Sequence, residues 1–119
     1  MAFVIVIGYH LSDLKLSEIP PDLEDLLVKK LDVRRKDERL YGWQKVGAAF
    51  NVDSDDLEYL TLEYKRDNGS PTSKLLSILG ISRCKTVSDL VNVLKRRKVK
   101  LLDVASLVRR YIKAANKFQ

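Results

Sequence analysis

Cysteine and histidine are nearly absent: the 119-residue chain carries one of each, Cys84 and His10. A lone thiol cannot close an internal disulfide, and secreted domains of this size usually carry several cysteines. The chain therefore points to a reducing, cytoplasmic compartment. No His/Cys cluster exists to hold zinc. A Cys–His nucleophile pair would have to be assembled across the fold, and nothing beside Cys84 marks its thiol as activated. Glycine numbers only 5, and Gly42 and Gly47 stand isolated, so no phosphate-cradling glycine loop is present. The acidic run Asp53, Asp55, Asp56, Glu58 alternates its carboxylates but lacks the glycine and the later glutamate of a calcium loop. These absences leave no expected catalytic site, metal site, cofactor or small-molecule substrate.

Long apolar runs are missing too. Phe3 to Ile7 is too short for the apolar region of a signal peptide and far too short to cross a bilayer. Neither secretion nor a membrane span is expected. The apolar share of 45% nevertheless suffices for one globular core in a chain of this length.

What the chain does have is helical periodicity, six times over. Leu23, Leu26, Leu27 and Leu31 mark one helix, opened by Pro20-Pro21 and graded from Asp22, Glu24 and Asp25 to Lys29 and Lys30, as a helix dipole favours. Arg34 to Arg39 holds no apolar residue and reads as a loop. Trp43, Val46, Gly47 and Phe50 mark a short second helix. Asp53 is placed to cap a third, with Leu57, Leu60, Thr61 and Tyr64 on one side. Asp67-Asn68-Gly69 breaks the chain before Ser70-Pro71, an N-cap followed by proline at the first helical position. Leu75, Leu76 and Leu79 follow, and Gly80 is expected to end this fourth helix. Thr86 with Asp89 reads as a capping box for a fifth, carrying Val87, Leu90, Val91 and Leu94. The basic stretch Lys95 to Lys100 closes it, and Leu101, Val104, Ala105, Val108 and Ile112 mark the sixth. Trp43, Phe50, Leu60, Leu76, Leu90 and Leu94 are expected in the core. Phe3 to His10 fits no helical pattern, and a lone strand there would lack a partner.

Charge is divided unevenly along the chain. Residues 1–80 hold 11 Lys/Arg against 14 Asp/Glu, whereas residues 81–119 hold 11 against 2. The difference is −3 for the first part and +9 for the second, which together give the net +6. A field of this kind steers partners of opposite sign.

The order of these signals from Ile19 to about Tyr111 resembles a death domain, the six-helix fold of apoptosis and innate-immune adaptors. Four segments carry the resemblance: IPPDLEDLLVKKLD (19–32), GWQKVGAAF (42–50), GSPTSKLLSILG (69–80) and TVSDLVNVLKRRKV (86–99). GSPTSKLL followed by CKTVSDLV looks most like the interleukin-1-receptor-associated kinases and their insect relatives Pelle and Tube. Leu79 departs from that group, which usually carries a tryptophan near the end of the fourth helix, and the segment before Ser17 has no counterpart in it. The resemblance implies an all-α, six-helix antiparallel bundle over residues 17–119, with residues 1–16 as an extension packed on it. It also implies assembly with other death-domain proteins, heterotypic or head-to-tail with copies of itself, in intracellular innate-immune or apoptotic signalling.

Two charged groups are the candidate partner-binding residues. The basic group Arg96, Arg97, Lys98 and Lys100 can be a solvated helix end, a protein-binding face, or a site for nucleic acid or phospholipid. The acidic group Asp53, Asp55, Asp56 and Glu58 serves capping and the helix dipole, or forms the complementary patch. Arg66 and Lys74, flanking the Asn68-Gly69 turn, are further candidates. A basic helical nucleic-acid-binding domain is the alternative, opposed by the acidic first part and by the lack of aromatics among the basic residues.

Overall fold

A computed structural model describes residues 11–67 and 69–116, with side chains in all of these except 63–67 and 116. Residues 1–10, including Phe3 to His10, and Asn68 lie outside the described residues. The described chain is all-helical: a single 3-10 turn at Leu11–Asp13, then α1 (Pro21–Leu31), α2 (Gly42–Ala49), α3 (Ser54–Asp67), α4 (Pro71–Arg83), α5 (Val87–Leu94) and α6 (Leu102–Asn116). No strand occurs among the described residues, only isolated bridges pairing Lys15 with Thr86 and Arg34 with Tyr41.

The expected start signals of α1, α4 and α5 operate. Pro21 opens α1 at its first turn. The Ser70 hydroxyl accepts the Ser73 amide at 3.1 Å ahead of α4. At α5 the Thr86 hydroxyl accepts the Asp89 amide while Asp89 accepts the Thr86 amide, a reciprocal capping box. The α2 start adds a device of its own, the Gln44 side chain turning back to accept the Tyr41 amide at 2.8 Å. Asn51 turns the chain between α2 and α3 in the left-handed region, which asparagine tolerates well.

One expectation needs correction. Helix α4 continues past Gly80 to Arg83 and ends at Cys84, whose φ of 54° supplies the left-handed turn. Gly80 is not a stop. It sits where the N-terminal segment crosses α4, and a Cβ there would lie 2.5 Å from the Ser17 hydroxyl and closer still to the Ser17 backbone nitrogen. Glycine is used for the close approach of two chain segments, not for chain reversal.

One core gathers residues from every helix. Leu23, Leu27, Trp43, Val46, Leu76, Leu79, Leu90, Leu94, Val104 and Val108 are almost wholly buried, and Phe50 and Leu60 are buried with them. Leu11 and Leu16 join the same cluster, because the segment before α1 packs on α5 and α6. Backbone bonds from Leu16 to Lys85 and from Val87 to Leu14 fix it there. Each fully buried leucine contributes about 2 kcal/mol of burial free energy. Helix α1 packs on α2, α4 and α6; α2 also touches α3, α4 and α5; α3 rests on α4 and α5 on α6.

Thr72 is the one buried polar residue among those described, and its amide and hydroxyl both donate to one carboxylate oxygen of Asp32. Ser73 adds a bond from its hydroxyl to Glu24. The first turn of α4 is thereby tied to both ends of α1.

Candidate functional site

The acidic group lies at the start of α3. Burial of Leu57 and Leu60 against α2 and α4 turns the remaining face outward, so Asp53, Asp55, Asp56 and Glu58 are all exposed. None of the four joins an ion pair among the described residues. Tyr59 and Leu62 share this outer surface at 65% and 61% exposure, which makes it a mixed apolar and acidic face. Lys74, exposed on α4, meets Asp56 and Tyr59 at the rim of a groove between α3 and α4 whose floor includes Leu60, Leu75 and Ile78. Arg66 belongs to α3 by its backbone, and its side chain lies outside the described ones.

The basic residues sit on the turn between α5 and α6, where Val99 and Leu101 anchor the chain in the core and Lys100 takes a left-handed φ of 57°. Arg96, Arg97, Lys98 and Lys100 are all exposed, and none forms an ion pair among the described residues. They do not form one uniform patch. Arg96 turns to the end of α2 and donates to the Ala49 carbonyl at 3.3 Å. Arg83 donates to the neighbouring Phe50 carbonyl, and the Lys85 ammonium stands 5.9 Å from the centre of the Phe50 ring. Cations thus gather where the helix dipole and unsatisfied carbonyls are negative. Lys98 and Lys100 instead face the α1–α2 loop across a cleft.

That loop carries interactions that its sequence does not announce. Arg35 forms a two-pronged bond to Asp103 at 2.6 and 2.7 Å and reaches the Lys100 carbonyl at 3.4 Å. The Arg35 guanidinium holds the Asp103 carboxyl below its ordinary range, chiefly through this hydrogen bond. Lys45, on α2, lies 2.9 Å from Glu38 with its ammonium buried, and this contact lowers the Glu38 carboxyl as well. The run RRKDER, featureless as a pattern, therefore latches α6 and α2 together. No linear signal pairs Arg35 with Asp103, because 68 residues separate them.

A second cationic surface lies on α6. Ser106, Arg109, Arg110 and Lys113 are exposed along one side of α6. Their spacing of three, four and seven residues from Ser106 is a helical period written in polar residues.

No group of three or more His, Cys, Asp or Glu could hold a metal ion among the described residues, and Cys84 is exposed at the end of α4. No described helix is long and apolar enough to cross a membrane. Comparison with protein families, with curated proteins and with solved structures finds no match to this chain.

Proposed function

We propose that the chain is a protein–protein interaction domain with the death-domain fold, an antiparallel six-helix bundle acting as an adaptor or recruitment module in intracellular innate-immune or apoptotic signalling. The observation that carries this reading is charge without internal partners. Asp53, Asp55, Asp56 and Glu58 on α3, and Arg97, Lys98 and Lys100 on the α5–α6 turn, are exposed and unpaired within the described chain. Exposed like charges held together on a rigid frame cost stability through mutual repulsion, and an oppositely charged partner relieves it. Tyr59 and Leu62 supply apolar area beside the acidic group, the usual complement of charge at a binding surface. Carrying both signs on different elements suits head-to-tail contact, which builds rings or helical assemblies and not closed two-fold dimers. The chemistry is recruitment, with no reaction performed by this domain.

Charge reversal tests the reading. Arg96→Glu with Arg97→Glu abolishes co-assembly with a cognate death domain while the helical circular-dichroism signal stays intact. Persistence of assembly in that variant removes the basic turn from the interface.

A nucleic-acid-binding role is the second reading, favoured by the exposed row Arg109, Arg110 and Lys113 on α6. Its signature is binding to random duplex that weakens steeply with salt. A gel shift at modest salt separates the two.

A further inference from the structure

The cleft between the α1–α2 loop and the α5–α6 turn has a composition that protein recruitment does not require. It is an open surface cleft of about 650 Å3. Four cations line it, Arg39 and Lys45 from one wall and Lys98 and Lys100 from the other, against the two carboxylates Asp37 and Glu38. Of those carboxylates, Glu38 is already engaged by Lys45. The walls are held in register, since Arg35 grips both Asp103 and the Lys100 carbonyl across the gap. Lys45 adds an observation of a different kind. Its side chain is only 10% exposed, and its buried ammonium lies 2.9 Å from Glu38, so a cation is fixed at the floor of the cleft with that carboxylate neutralised beside it.

We infer that this cleft binds an anion bearing clustered phosphate groups, taken from a soluble polyphosphate or a phosphorylated lipid headgroup. A phosphate cluster presents many acceptor oxygens and multiple charge in a small volume, which matches cations converging from two walls. Arg39, Lys98 and Lys100 contact the anion, and Lys45 from the floor keeps the Glu38 charge from opposing it. The site stands whether or not the domain assembles with a protein partner.

Inorganic tripolyphosphate, titrated into the full chain at physiological salt and followed by amide chemical shifts, tests the inference. Shifts concentrate at residues 37–41 and 97–101. Lys98→Ala with Lys100→Gly, the glycine suiting the left-handed backbone at position 100, weakens binding about tenfold, while Arg109→Ala with Arg110→Ala leaves it unchanged. Glu38→Gln tightens binding about threefold, a gain that a merely structural role would not produce. Capture on vesicles containing phosphatidylinositol bisphosphate, competed by tripolyphosphate, assigns the anion to lipid. Tripolyphosphate binding without vesicle capture assigns it to a soluble polyphosphate. The inference is overturned if the shifts centre on Arg109, Arg110 and Lys113, if the Lys98/Lys100 variant binds like the wild type, or if polyglutamate binds as tightly as tripolyphosphate.

Discussion

Gly80 lies inside α4 at the point where the N-terminal segment crosses the helix. In an exposed helix interior, glycine to alanine gains up to about 1 kcal/mol from helix propensity. Here the added methyl meets the Ser17 backbone, which cannot swing aside as a side-chain tip would. Overpacking of this kind costs about 1–3 kcal/mol, so the clash outweighs the propensity. Gly80→Ala is therefore expected to lower the chemical-denaturation midpoint, and an unchanged or higher midpoint would show that the crossing is loose. Glycine after a leucine run also signals a helix end, and only the third dimension brings Ser17 to it. The core residues carried no such ambiguity. Trp43, Phe50, Leu60, Leu76, Leu90 and Leu94 lie on helical periods that packing explains, and all six are buried.

The elements are joined by polar contacts that no local pattern reveals. Tyr111 on α6 donates its hydroxyl to Asp22 on α1 at 2.6 Å. Burial first, and the Asp22 carboxylate second, push the Tyr111 hydroxyl up to about 12 from its ordinary 10.0. The folded chain thus favours the neutral phenol. The stabilisation is fully present below pH 10.0 and is lost as pH rises through about 12. Tyr111→Phe should lower stability at neutral pH and flatten the alkaline limb of the stability profile between those values, followed by denaturation at fixed temperature. Asp103 has the opposite sign. Its carboxyl is lowered from 3.8, so the contribution of its pairing with Arg35 is present above that value and fades as pH falls through the folded one. The pair is a surface one, with side chains 36% and 60% exposed, and is worth no more than about 1 kcal/mol. Its consequence is local order. Arg35→Ala is expected to leave the midpoint almost unchanged yet speed hydrogen exchange at 97–101, and equal exchange in both proteins would show that the turn holds itself. Helix starts were legible because Ser70, Thr86 and Pro21 act on their own next turn. Latches such as Arg35–Asp103 and Thr72–Asp32 were not, because each joins residues at least 40 positions apart.

At the scale of the whole molecule, the all-helical class was readable from six apolar periods, and the division of charge from simple counting. How the charge is distributed in space was not. The basic turn divides between the end of α2, through Arg96, and the cleft, through Lys98 and Lys100, while α6 carries a further cationic row. Lys74 joins the acidic side, next to Asp56 and Tyr59. A partner of the proposed kind would meet mixed surfaces, and reversal of charge should disrupt its binding more than truncation does, because it adds repulsion to lost attraction. The measurement that bears most directly on the proposed role is the mass, by light scattering, of the species formed when this chain is mixed with candidate death domains. Discrete assemblies heavier than either component, lost when Arg96 and Arg97 are changed to glutamate, are the expected result. Separate monomers with every such partner, alongside tight and salt-sensitive binding to random duplex, would contradict it.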